Sequence, residues 1–188
     1  MEAPVAISDS DILATVSAYL ERYADDTLLL SEPLGLLSQG KGFASRRNFV
    51  MHVTASALLV RNGEILLIDH LAYGIPLQPG GHLEPADATL IDAALRELTE
   101  ETGVDPRQVF PASPIPVYVE YGLVPPRPEK NEPAHHHLDI GYAFMTNADV
   151  GRIQESEVGG AAWYPLAAAE RLVGTRIARA VSVPVRTG

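Results

Sequence analysis

Asn62-Gly63 stands between two apolar runs, FVMHVTASALLV at 49–60 and EILLIDH at 64–70. Both residues tolerate a positive φ, the geometry that a two-residue hairpin turn demands and most side chains resist. The pair predicts an antiparallel hairpin, so a chain containing it builds on a sheet. Further strands are predicted at IPVYVEYGLV (115–124), HLDIGYAFMTN (137–147) and GGAAWYPL (159–166). Helices are predicted from about Ala88 to Thr102, with Gly103 as its stop, and over AAAERLVGTRIARAV (167–181), weakened by Gly174. Strands in series with two bracketing helices imply one mixed α/β or α+β domain. YGIPLQPGGHLEPAD (73–87) and PPRPEKNEPA (125–134) are predicted as loops.

Ahead of the hairpin, SDSDILATVSAYLERY (8–23) has capping residues and an apolar stripe of Ile12, Val16, Tyr19, Leu20 and Tyr23, and predicts a helix. A loop-like stretch with Pro33, Gly35, Gly40 and Gly42 leads to the basic KGFASRRN. The expected organisation is an N-terminal helical extension over 1–48 and a main domain over 49–188.

The 188 residues carry a formal charge of −10 and no cysteine. Disulfides, thiolate metal sites and cysteine nucleophiles are excluded. A wide grip on nucleic-acid backbone is disfavoured, whereas a small phosphorylated ligand bridged by a divalent cation is not. No apolar run is long enough to cross a bilayer. The acidic start, MEAPVAISDSD, lacks the order of a secretory signal, so a cytoplasmic location is expected.

RELTEETG (96–103) crowds three glutamates into one helical segment. Like charges three and four residues apart repel by roughly 0.2–0.5 kcal/mol per pair. At 100° per residue Ile91, Leu95, Leu98 and Thr102 share one expected core face, and Glu97, Glu100 and Glu101 converge beside it. Arg96 reaches Glu100 at i+4. Such a cluster suits a hard divalent ion that takes oxygen ligands, although an acidic helix face is more often merely solvated.

The loop in front adds to this. QPGGHLEPAD…AALRELTEETGV resembles the signature of the Nudix hydrolases: Gly81 opens it, and Arg96, Glu97, Leu98, Glu100, Glu101, Gly103 and Val104 fill its second half without mismatch. The first acidic position holds Asp87 rather than glutamate, and eight residues rather than seven separate it from Arg96. The extra residue is expected at the loop–helix junction, with Asp87 capping the helix or holding the loop. The resemblance spans roughly 50–180 and implies a Nudix-type α/β/α sandwich with a mixed sheet.

It further implies Mg²⁺- or Mn²⁺-dependent hydrolysis of a nucleoside diphosphate derivative. Glu97, Glu101 and Glu100 are the expected ligands, the Gly80 carbonyl is carried over as a backbone ligand, Gly81 allows close approach, and Arg96 orients the glutamates. In that family the general base varies; Glu97 fits one version and Glu155 or Glu157 the other, with Glu157 preferred. His135 and His137 alternate onto one strand face and are candidate substrate contacts, or two ligands of a transition metal that lacks a third. Arg46, Arg47, Arg127 and Lys130 are candidate phosphate contacts. Dimers are frequent in that family, so a homodimer is one state the resemblance allows, and the sequence itself does not select it. A nucleotide sensor without turnover is the alternative, and the isoprenoid diphosphate isomerase branch fits less well because its chemistry relies on a cysteine.

Overall fold

The computed structural model describes residues 6–71, 73–128 and 131–181. The hairpin forms as expected. Strand β1 (Met51–Arg61) pairs antiparallel with β2 (Glu64–His70), Arg61 opposite Glu64. Asn62 and Gly63 turn the chain with φ of 51° and 80°. Six more strands join the sheet: β3 (Ile75–Leu77), β4 (Gly80–His82), β5 (Val109–Pro111), β6 (Tyr118–Val124), β7 (His135–Thr146) and β8 (Val158–Pro165). Its main path runs β3-β2-β1-β7-β5, while β4 pairs with β1, β6 with β7, and β8 with β2. Together with helices α1 (Asp9–Arg22), α2 (Ser31–Leu37), α3 (Leu90–Thr102), α4 (Leu166–Val173) and α5 (Ala178–Val181), this is an α+β fold.

Contacts gather the chain into two compact units. The first holds the described part of Met1–Ala55 with His82–Ala93 and Val119–Ile140. Within it, Ser8 caps α1 in a capping box with Asp11, and Ile12, Val16 and Tyr19 are buried as the stripe predicts. Asp9, also buried, accepts from the backbone N–H of Gly42 at 2.8 Å and of Phe43 at 2.7 Å, tying α1 to the approach to β1. The second unit holds Ser56–Gly81, Ala94–Tyr118 and the described residues from Gly141 onward. Its core joins Leu58, Val60, Ile65 and Leu67 to Val117, Tyr118, Ala143, Ala169, Val173 and Ile177.

Four expectations need correction. The stretch around Pro33 and Gly35 contains α2; Pro33 lies in its first turn, where the lost N–H has no helical partner anyway. The glycine-rich loop contains β3 and β4. Gly174, with φ of 90°, does not merely weaken the last helix but divides it into α4 and α5 with a 3-10 turn at Thr175–Ile177. The buried face of α3 is Leu90, Ala93, Ala94, Leu98, Glu101 and Thr102, while Ile91 and Leu95 are half-buried. Glu101 thus lies on the core-facing side rather than beside it.

Candidate active site

The start of α3 is set by two short side chains. Thr89 Oγ1 accepts from the Asp92 N–H at 3.2 Å, and Asp87 accepts from the Glu84 N–H at 2.7 Å. Both residues precede the first helical position, Leu90. The additional residue of the motif therefore falls outside the ordered register of Arg96–Gly103, and Asp87 holds the loop.

Within the second unit, α3 presents three carboxylates of unequal burial. Glu101 is 1% exposed, the Glu97 side chain 13% and the Glu100 side chain 49%. One guanidinium serves two of them: Arg96 Nη1 lies 3.0 Å from Glu97 Oε1 and 3.0 Å from Glu100 Oε2. Glu101 is held instead by the Gly80 N–H, 2.9 Å from its Oε2. Burial pushes the Glu101 carboxyl up to about 8, with Glu97, Glu157 and Glu100 adding repulsion and the Gly80 N–H opposing them. Burial likewise raises Glu97 to about 7, against the pull of Arg96.

Gly81 explains why this loop carries a glycine pair. A β-carbon there would sit 2.6 Å from Glu97 Oε1. The opposite end of α3 is equally tight. Gly103, with φ of 64°, leaves no space for a β-carbon beside the Arg152 backbone, and Gly151 leaves none beside the Gly103 carbonyl. Gly151 N–H donates to the Thr102 carbonyl at 3.0 Å and Gln154 N–H to the Glu101 carbonyl at 3.2 Å. This seat fixes the segment leading to the turn at Glu157, whose charge is felt by both Glu97 and Glu101. Glu155, exposed on the same turn, does not figure among the charges raising either group.

The donor set is all oxygen, with a single guanidinium among three carboxylates and two of those carboxylates largely buried. Unpaired buried charge is costly, and a hard dication such as Mg²⁺ or Mn²⁺ relieves it with the ligand type it prefers. These residues fit such an ion.

The other candidates lie in the first unit. His135 and His137 do not stand alone: they meet His52 and His82, which sequence reasoning missed. The available signal was alternation, since His52 and Thr54 recur with period two as His135, His137 and Asp139 do. Arg46 lies 3.9 Å from Glu132. Arg127 forms a backbone bridge with Glu132. Lys130 lies outside the described residues. Arg46 and Arg47 line a cavity of about 730 Å³ with Asp9, Leu13, Leu37 and Leu83; none of the three glutamates borders it.

Residues 50–182 match the NUDIX domain. Phosphatase NudJ of Escherichia coli K12 is 47% identical over 58 residues, 30% of this chain and 37% of NudJ, and the NudJ of Shigella flexneri matches equally. The chain thus matches little more than a third of the length of these relatives. A NUDIX-family hydrolase from Clostridium perfringens superposes with a TM-score of 0.54 at 21% identity, over 70% of this chain and 95% of that one. The E. coli dihydroneopterin triphosphate pyrophosphohydrolase gives 0.50 at 14% identity, over 72% and 96%. At those identities the likeness concerns the fold. The domain match covers more than half of the chain, including the glycine loop and glutamate helix just described, and the chain belongs to the NUDIX family of hydrolases.

Proposed function

We propose that the protein hydrolyses the diphosphate linkage of a nucleoside diphosphate derivative, with Mg²⁺, or Mn²⁺ in its place, held by Glu97, Glu100, Glu101 and the Gly80 carbonyl. The observation that carries this reading is the pair of buried carboxylates, Glu97 and Glu101, raised to about 7 and 8 on a helix that keeps them converged. When bound, the ion supplies charge neutralisation at the phosphate oxygens and polarisation of the attacking water. Arg96 orients Glu97 and Glu100 through its two contacts. Gly81 leaves space for the Glu97 carboxylate. Glu157 acts as general base: it accepts a proton from water as the water oxygen bonds to phosphorus, and the bridging oxygen departs with the other half of the substrate.

The division into an extension over 1–48 and a Nudix domain over 49–188 is supported by the family match, which starts at residue 50. The proposed partner is this small molecule, on which the enzyme acts in the cytoplasm; light scattering decides between a monomer and a homodimer. Among the described residues no helix is long and apolar enough to cross a membrane.

The test is Mg²⁺-dependent hydrolysis over a panel of nucleoside diphosphate derivatives, read as nucleoside monophosphate formed, with Glu101→Gln alongside. Turnover that requires the ion and collapses in the variant supports the hydrolase. Equal nucleotide binding by both proteins, with no turnover by either, replaces it with a sensor.

A further inference from the structure

We propose that His52, His135 and His137 form a binding site for a borderline transition-metal dication of the Zn²⁺ class, with His82 packed beside His52, distinct in chemistry from the all-oxygen glutamate cluster. The strands themselves bring the rings together. Alternation along β1 puts His52 and Thr54 on one face, and alternation along β7 does the same for His135, His137 and Asp139. The Thr54 hydroxyl donates to Asp139 Oδ1 at 2.8 Å, which marks these as the same face of the sheet. His82 joins from the end of β4, its Nε2 3.2 Å from His52 Nε2. His135 Nε2 and His137 Nε2 are 3.1 Å apart. One ligand atom each from His52, His135 and His137 lies within 4.8 Å of the others.

Those spacings suit a tetrahedral ion. With Zn–N bonds of roughly 2.0–2.1 Å, neighbouring ligand nitrogens are separated by about 3.3 Å. The protons are also suitably arranged. His135 Nδ1 lies 2.7 Å from the Pro133 carbonyl and His52 Nδ1 3.3 Å from the Asn48 carbonyl. A carbonyl only accepts, so in the neutral ring each Nδ1 carries the hydrogen and each Nε2 keeps its lone pair directed at the cluster. Backbone carbonyls orienting imidazoles in this way are a common support of metal-binding histidines.

The surroundings of His52, His82 and His137 keep those rings neutral, the form a metal requires. Burial holds His52 at about 4, His137 at about 3 and His82 at about 2. Arg46 acts in the same direction on His52 and His82, and Arg127 on His137, while Glu132, 3.9 Å from Arg46, pulls the other way at His52. A stack of histidines joined only by N–H···N bonds is the competing account, and it gives no reason for the ligand atoms of His52, His135 and His137 to lie within 4.8 Å of one another. Without cysteine in the chain, the all-nitrogen set selects Zn²⁺, Ni²⁺ or Cu²⁺ over Mg²⁺. The ion would clasp the start of β1 to the start of β7, with a fourth position open to solvent.

The test starts from the full chain stripped with chelator. Zn²⁺ is titrated against a chromophoric chelator, and Co²⁺ substitution reports coordination through its visible d–d bands. The expected result is one Zn²⁺ per chain, an intense tetrahedral Co²⁺ spectrum, and a loss of Zn²⁺ affinity of at least about 100-fold in the His135→Gln/His137→Gln variant. The variant Glu97→Gln/Glu101→Gln should leave all three readings unchanged. His137→Gln alone, at a half-buried position, serves if the double variant does not fold, and Zn²⁺ should raise the melting temperature of the native chain but not of this variant. Absence of Zn²⁺ binding by the native chain, binding that survives the histidine variants, or binding abolished only by the glutamate variant overturns the site.

Discussion

The carboxylate of Glu97 occupies the volume that any side chain at position 81 would need, with Oε1 2.6 Å from the β-carbon position of Gly81. The obstructing atom is the end of a flexible side chain, so a methyl group there displaces the carboxylate rather than the backbone. Gly81→Ala should therefore fold with nearly native stability yet lose about 10- to 100-fold in kcat/KM, the range typical of a disturbed ligand support. Parallel urea unfolding and assays of nucleoside monophosphate formation check it; a large stability loss would mean the backbone yields instead.

Glu101→Gln separates stability from function. The native carboxylate is buried with the Gly80 N–H as its hydrogen-bond donor, and an amide of the same shape can keep an acceptor oxygen on that N–H. In chelator at pH 8 the variant should be more stable than the parent, because no charge must be buried. Metal-dependent turnover should fall by at least about 100-fold. Thermal unfolding with and without Mg²⁺ checks both halves, since Mg²⁺ should stabilise the parent more than the variant.

The pH dependence of the chelator-treated chain should have two arms of opposite origin. Glu97 and Glu101 have folded values near 7 and 8 against an ordinary 4.5. The native state therefore holds more protons than the unfolded one, and stability falls as pH rises through that window. His52, His137 and His82 have folded values near 4, 3 and 2 against 6.5. For them the unfolded state binds protons first, so stability is lost as pH falls below about 6.5. The window from pH 6.5 to 8 isolates the glutamates. Urea unfolding there should show a falling midpoint that Glu101→Gln makes shallower, whereas His137→Gln should lessen only the acid arm, which His52 and His82 continue to supply.

Asp9 is the prediction for the N-terminal segment. Removing its carboxylate in Asp9→Ala leaves the Gly42 and Phe43 N–H groups without that acceptor, at a cost of about 2–4 kcal/mol. Chemical unfolding measures it, and Mg²⁺-dependent turnover at low temperature should change little.

Legibility followed the range of the signal. The Asn62-Gly63 turn, the Ser8 cap and the Gly103 stop are written in adjacent residues, and each element they define appears where expected. The three glutamates and Arg96 occupy one stretch of helix, so their convergence was readable too. The short strands β3 and β4 were hidden because three residues are too few for alternation to show against a glycine- and proline-rich background. Helix α2 was hidden because Pro33 and Gly35 carry low helix propensity, which tertiary burial of Leu37 overrides. The face of α3 was misplaced because a buried glutamate breaks the rule that core faces are apolar. His52 and His82 join His135 and His137 only through strand pairing, a relation between distant residues that no local window contains.

The seat between Gly103 and Gly151 is made by main-chain atoms, so it says little about what side chains may follow it. Arg152 through Ser156 are positioned by carbonyls and N–H groups rather than by their own identities. That makes the segment a place where natural drift or a laboratory library can alter what surrounds Glu157 while its anchorage to the helix stays intact. Randomising 153, 155 and 156, with both glycines retained, accordingly changes the surroundings of Glu157 without touching its anchorage.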